Sequence, residues 1–448
     1  MKRLSFRDPL SAVFDENDKI IRKLNSSNAL FYSELFEKEF FKKMIESKLI
    51  QNSLIDKKNN QITMCHKKLE NFTEVTEMSS YQLFLAGKLT LDIAIECLKN
   101  GFMLKDASSW NIVFHHGKPI FLDIGSFEKW NGENTWIAYG QFIRHFITPL
   151  ILNKELGIST SKLFITERDG IYPADAKKKL GIKIFKSTLY LEFVLTPSFF
   201  KSSKLNNHKK KSSNVELNQK ILLIILKRLK KKLLTLEPLS SSFWTNYTNK
   251  RDHYSNQDII IKKNIIEDFF QSHKGKVLDV GCNTGEFLFL AARYSDETYG
   301  IDIDENCINL IQKKLRNENI TLSNVNISNP TPSIGWDNKE TYGYIKKNIN
   351  YYDTVIFFGI IHHLITIDRI PLIDIIDLLA KLTKTHLIFE FVSNKDDKFL
   401  ELASSNIDLY NNFTKENFEN IIKKTFNIVE IYNLDYNKNR HVYILKKI

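Results

Sequence analysis

The sequence predicts an α/β protein: an open, largely parallel sheet in the carboxyl-terminal half, closed by an antiparallel hairpin and preceded by an α+β domain. Three observations lead there. Strand-like and helix-like apolar runs alternate from Lys276 onward, a glycine-rich turn joins the first strand to its helix, and the last two strands alternate apolar and polar residues.

Lys276–Val280 reads as a buried strand, followed by the turn Gly281-Cys282-Asn283-Thr284-Gly285 and a helix over Glu286–Arg293. A second strand ends Tyr299-Gly300-Ile301-Asp302, which sets a carboxylate at its tip. Thr321–Ile327, Tyr352–Phe358 and Thr385–Val392 read as the third, fourth and fifth strands. Pro371 opens a helix carrying Leu372, Ile375, Ile376, Leu379 and Leu382, as proline does at a first helical turn. Another helix follows Thr414, with Phe418, Ile421 and Ile422 on one face. Asn427–Asn433 and His441–Leu445 then form the closing hairpin. Ligands of open α/β sheets bind at the carboxyl ends of the strands. That rule selects Asp279, Gly281, Asp302, Asn326, Gly359, His362 and Glu390 as the rim of a pocket.

A strand–turn–helix–strand unit with glycines in the turn and an acid on the second strand suits an adenosine-containing ligand, because the carboxylate can accept from both ribose hydroxyls. Glycine spacing narrows the ligand. A dinucleotide fingerprint needs glycine at 281, 283 and 286, where this chain has Gly281, Asn283 and Glu286, and no Lys-Ser/Thr pair follows Gly285 as a P-loop requires. The string VLDVGCNTG followed by YGIDID resembles the class I S-adenosylmethionine (SAM)-dependent methyltransferases. That resemblance implies a Rossmann-like seven-stranded sheet and SAM as the cofactor. It also implies that Asp302 holds the ribose, that Asp279 and the turn Gly281, Asn283 and Gly285 meet the methionine portion, and that Asn326 lies near adenine. Asn283 departs from the family's middle glycine, and asparagine tolerates positive φ better than most residues. His362 and His363, after the fourth strand, and Glu390, ending the fifth, are candidate catalytic bases; each also has a structural reading, as a loop residue or a paired strand-end acid. The chain has Phe357-Phe358-Gly359-Ile360 where amino-group methyltransferases of adenine or glutamine carry an N/D-P-P-aromatic string. O-methylation of a glycan or small-metabolite acceptor is therefore expected.

The amino-terminal half holds Leu104-Lys105-Asp106-Ala107-Ser108-Ser109-Trp110-Asn111 and then Phe121-Leu122-Asp123-Ile124-Gly125. Asp106, Asn111 and Asp123 resemble the catalytic loop and metal-binding acid of kinase-like phosphotransferases, which implies a candidate nucleotide site. Leu104 stands where those enzymes carry histidine, no glycine-rich phosphate loop precedes it, and only Lys67 or Lys68 offers a strand lysine. The other reading is a degenerate scaffold whose Asp and Asn cap turns. In combination, LKDASSWN, FLDIGSFE, YGQF, SNPTPSIGW, IHHL and LIFEFV resemble a two-part bacterial group related to nodulation host-specificity methyltransferase-like proteins.

The expected organisation is an accessory domain over 1–200, a polar basic linker over 201–216, a basic helix and covering segment over 217–250, and the methyltransferase domain over 251–448. Phe243, Trp244 and Tyr247 belong to that covering segment. A net charge of +12 raises nucleic acid as a partner, concentrated at Lys227-Arg228-Leu229-Lys230-Lys231-Lys232. An amphipathic surface helix solvating its lysines explains the same pattern, and nucleic acid is not the favoured partner. Four scattered cysteines exclude a disulfide framework and a zinc cluster, no apolar run is long enough to span a bilayer, and the start lacks a signal-like apolar segment. A cytoplasmic location is expected.

Overall fold

The computed structural model describes residues 2–3, 11–16, 19–24, 26–47, 50, 53–58, 61–199, 214–239, 242, 255–316, 318–434 and 438–448. The chain divides into two units, Met1–Leu239 with Ile334–Thr341, and Ser240–Ser333 with Tyr342–Ile448. The division at Leu239 differs from the expected boundaries. Helix Val215–Leu234 buries Leu222, Leu226, Leu229 and Leu233 in the core of the first unit, beside helix Ser80–Lys99, so it belongs to that unit. Arg228 and Lys232 pair with Glu192, and Lys230 pairs with Asp92, while Lys227 and Lys231 are exposed. Most of the expected linker, and Phe243, Trp244 and Tyr247, lie outside the described residues.

The first unit opens with an antiparallel sheet of β1 (Lys2–Arg3), β2 (Ser11–Glu16), β3 (Lys19–Leu24), β4 (Ser53–Lys58) and β5 (Gln61–Lys67), in spatial order β1-β2-β3-β5-β4. Helices Ser26–Glu37 and Glu39–Glu46 lie between β3 and β4 in the chain. Helix Ser80–Lys99 follows, its start fixed by a capping box in which the Ser79 side chain takes the Gln82 N–H and Gln82 returns to the Ser79 N–H. Two short antiparallel ladders complete the sheet structure: β6 (Phe102–Leu104) pairs with β9 (Phe127–Lys129), and β7 (Ile112–His115) pairs with β8 (Lys118–Phe121).

The second unit contains a seven-stranded sheet built from β10 (Lys276–Val280), β11 (Glu297–Asp302), β12 (Ile320–Asn324), β13 (Tyr352–Phe357), β14 (Thr383–Val392), β15 (Phe426–Asn433) and β16 (Arg440–Lys447). Its order is β12-β11-β10-β13-β14-β16-β15. The first five strands run parallel, and β16 inserts antiparallel between β14 and β15. The order reverses between β10 and β11 on one side and β13 on the other, so the switch point lies at the carboxyl end of β10. Apolar clusters cover both faces, as a parallel sheet requires: Leu278, Val355, Phe357, Phe389 and Phe418 on one side, Val277, Ile356, Ile388 and Phe270 on the other. The third strand ends at Asn324 instead of running to Ile327. There the Asn326 carboxamide oxygen accepts from the Ser328 N–H and hydroxyl, which turns the chain.

Candidate functional site

At the switch point the turn after β10 is left-handed at Gly281 (φ 69°), Asn283 (φ 46°) and Gly285 (φ 89°). The two glycines are required differently. A Cβ on Gly281 would come 2.5 Å from Ile360 Cδ1, whereas Gly285 starts helix Glu286–Ala291 in a conformation that side chains resist. Asn283 adopts the positive φ expected of it, and its side-chain oxygen accepts the Thr284 N–H at 2.6 Å. Its backbone N–H has a further use: it donates to Asp302 Oδ2 at 2.8 Å, while the Asp304 N–H donates to Oδ1 at 2.8 Å. The acid at the tip of β11 is thereby aimed by the turn itself.

A cavity of about 390 Å³ opens at this place. Asp279, Gly281, Asn283, Asp302, Asn326 and Gly359 line it. Lys262, Phe287, Phe358, Ile360, His363 and Asp368 complete the walls relevant to chemistry, and sequence reasoning missed Lys262 and Asp368. Gly285 stands outside the lining and shapes the turn. Of the paired histidines, His363 faces the cavity; the His362 ring is buried beside it, ring centroids 4.3 Å apart. Both sit on helix Ile361–Thr366.

Glu390 lies off the lining and is fully buried. Its Oε2 accepts from Lys262 Nζ at 2.8 Å, and its Oε1 is 3.7 Å from Arg440 NH1. A solvent-reachable base at the end of β14 is therefore replaced by a carboxylate held between two cations. The pairing joins residues far apart in sequence, on helix Asn256–Ser272, β14 and β16, so no local pattern announces it.

Burial sets the proton affinities. Desolvation, opposed by the Asp304 and Asn283 N–H groups, raises the Asp302 carboxyl to about 6. Burial, with Asp302 adding its negative charge, pushes Asp279 well above the ordinary carboxylate range, and burial does the same to the Cys282 thiol.

In the first unit the three predicted residues also come together. Asn111 hydrogen-bonds Asp106, and Asp123 lies close enough to raise the Asp106 carboxyl further after burial has done so. Gln141, from the YGQF segment, accepts the Ala107 N–H at 2.9 Å and also reaches Asp106. Arg22 on β3, unmarked in the sequence reading, donates to Asp123 at 2.6 Å. Asp123 further accepts from the Gly125 N–H and the Ser126 hydroxyl. Lys68, argued from sequence as the strand cation, pairs with Asp15 instead. Among the described residues no cluster of three or more His, Cys, Asp or Glu could hold a metal ion.

The mixed sheet, the turn at its switch point and the acid that turn aims give the second unit the features of a class I SAM-dependent methyltransferase, whose methyl donor is SAM. The family described as "Methyltransferase domain" matches residues 253–430, from the helix before β10 into β15. Over nearly its whole length the chain is similar to Nodulation protein NoeA of Rhizobium meliloti (strain 1021), with 24% identity over 440 residues, covering 95% of this chain and 92% of that one. Among solved structures, the N-methyltransferase NodS of Bradyrhizobium japonicum WM9 shares 13% identity over 43% of this chain and 98% of its own, with TM-score 0.32. The magnesium protoporphyrin IX methyltransferase ChlM of Synechocystis PCC 6803 with bound S-adenosylhomocysteine (SAH) shares 16% over 46% and 94%, with TM-score 0.31. Among the described residues, no helix is long and apolar enough to cross a membrane.

Proposed function

We propose that the second unit transfers the SAM methyl group to a hydroxyl oxygen of a glycan or small metabolite in the cytoplasm, with His363 as the base. The observation that carries this reading is the placement of His363 on the cavity wall beside the turn that follows β13. Methyl transfer is an in-line displacement, so the protein must align the acceptor with the sulfonium methyl, exclude water and take the proton the hydroxyl loses. Apolar Phe358, Ile360 and Leu364 keep that part of the cavity dry, and the His363 imidazole supplies a proton acceptor in the same wall. Asp302 accepts from the ribose hydroxyls, its oxygens already oriented by the Asn283 and Asp304 N–H groups. Asp279 and the turn meet the methionine portion, and Asn326 lies towards adenine. The absence of an N/D-P-P-aromatic string after β13 supports oxygen over nitrogen as the acceptor atom.

For the first unit we favour a structural role of the Asp106–Asn111–Asp123 cluster over a magnesium–nucleotide site. Arg22 already supplies the positive charge that a divalent ion would bring to Asp123. Similarity to Nodulation protein NoeA along both units supports treating the first unit as part of the working enzyme.

The test is methyl transfer from isotopically labelled SAM to a panel of glycans and hydroxylated metabolites, read by mass spectrometry, with the methylated atom located by NMR. A label on oxygen, with kcat lowered roughly 10²–10⁴-fold in His363→Ala, is expected. A label found only on nitrogen or carbon would overturn the oxygen assignment while leaving the methyl donor intact.

A further inference from the structure

The first unit carries a patch in which bulky apolar side chains stand in solvent among lysines. Helix Pro173–Leu180 ends on Lys177, Lys178 and Lys179 and turns at Gly181 (φ 54°) into a 3₁₀ helix, Gly181–Lys186. Three residues per turn give this short helix three faces, because side chains at i and i+3 stand one above the other. On one face Ile184 is buried in the core of the unit. On the second, Lys183 and Lys186 reach Glu155, the former at its carbonyl oxygen (3.2 Å) and the latter at Oε2 (3.1 Å). The third face is Ile182 and Phe185, 88% and 70% exposed. Phe199, 68% exposed, lies under Lys177, whose ammonium is 4.2 Å from its ring centroid.

Lysines in the last turn of helix Pro173–Leu180 complement its dipole, and Lys178 pairs with Asp175 at 3.2 Å. That accounts for part of the charge and for none of the apolar exposure. Large apolar side chains held together in solvent offer a surface to a partner or a membrane, and the lysines decide between them. Cores of protein–protein interfaces are depleted in lysine, and a phosphate backbone needs cations without an isoleucine and a phenylalanine beside them. An anionic bilayer surface uses both: apolar tips enter the acyl boundary while lysine stems lie along it and hold their ammonium groups among the headgroups. We propose that Ile182 and Phe185 insert into the interface of an anionic lipid bilayer, with Lys177, Lys178 and Lys179 at its headgroups. The first unit then docks the chain on a membrane surface without spanning it. This docking involves the first unit alone and does not depend on methyl transfer.

The experiment floats the full chain with vesicles of phosphatidylcholine, alone or mixed with phosphatidylserine, at low and high salt. Three forms are compared: wild type, Ile182→Ser with Phe185→Ser, and Lys178→Glu with Lys179→Glu. All of these positions are exposed, so both variants should keep the wild-type urea midpoint. We expect the wild type to float with the mixed vesicles, with an affinity that falls as salt rises and is about tenfold or more weaker on phosphatidylcholine alone. Removing the apolar pair, or reversing the two charges, should each lower affinity for the mixed vesicles about tenfold or more. A wild type that floats with no vesicle, or either variant floating as well as the wild type, would overturn the docking. Without vesicle binding, two further results would reassign the patch. Polyuridylic acid bound by the wild type and the apolar variant but not by the lysine variant would give it to nucleic acid. Self-association that only the apolar variant abolishes would make it a contact between two copies of the chain.

Discussion

Asp302 shows how one residue can be legible in type and opaque in detail. Its position at the tip of β11 follows from the strand pattern and the glycine turn, but its link to the Asn283 N–H depends on the closed turn and is invisible in sequence. Its carboxyl, raised to about 6, gives two pH dependences of opposite sign. The folded-state value lies above the ordinary one, so its contribution to stability is fully present below about pH 4 and lost as pH rises through 6. Ribose hydroxyls donate to the ionised form, so cofactor binding strengthens over the same interval. Without ligand, Asp302→Asn should flatten the decline in denaturant-measured stability between pH 4 and 7. In the wild type, SAH affinity measured by calorimetry should rise from pH 5 to 7, and an affinity that falls over that interval would refute the ionised-acid role. Asn283 gives a second prediction. Asn283→Gly should keep the fold and cofactor affinity. Asn283→Val, forced to φ 46°, should cost of the order of 1–3 kcal/mol and lower the melting temperature.

At the scale of elements, the parallel strands were readable because each is a short apolar run bounded by turn residues, and observed ends differ from expected ones by a few residues. Helix Val215–Leu234 was readable as amphipathic, but its partner was not. Helix Ser80–Lys99 is distant in sequence, and only packing reveals that Leu226 and Leu229 face the same core. The antiparallel sheet β1–β5 is hidden for a different reason: strands such as Lys19–Leu24 and Ser53–Lys58 set apolar residues side by side among lysines and give no clean alternation. The basic helix can be tested by truncation. Leu226→Ala or Leu229→Ala should destabilise by about 2–5 kcal/mol. Lys227→Ala and Lys231→Ala, both on exposed positions, should stay within about 0.5 kcal/mol in the same urea titrations. A salt-sensitive loss of RNA affinity in the lysine variants would instead give those side chains a nucleic-acid role.

For the whole molecule, the methyl donor was legible in one nonapeptide and one acid, whereas the charge network behind the site was not. Lys262, Glu390 and Arg440 come from a helix and two strands that only the folded sheet brings together. The same holds in the first unit, where Asp106, Asn111 and Asp123 were visible as a spaced set but Arg22 was not. Arg22→Gln should therefore weaken the first unit, by roughly 1–3 kcal/mol for a lost charged hydrogen bond, without changing SAH affinity. Magnesium–ATP titrated into the wild type should give no heat of binding. Ligand saturation should also act locally. At a hundredfold excess over its Kd, SAH adds about 2.7 kcal/mol to the stability of the unit that binds it. Hydrogen exchange should then slow around Asp279–Asp302 while the Asp106–Asp123 stretch is unchanged.

The central claim is that the second unit is a SAM site organised around Asp302, and calorimetric titration of SAH into the wild type and Asp302→Ala, at pH 7.5, tests it most directly. The account predicts saturable one-to-one binding to the wild type and a loss of about tenfold to a hundredfold in the variant, as expected when two hydrogen bonds to a charged group disappear. Equal affinities in the two proteins, with the variant still folded, would contradict it.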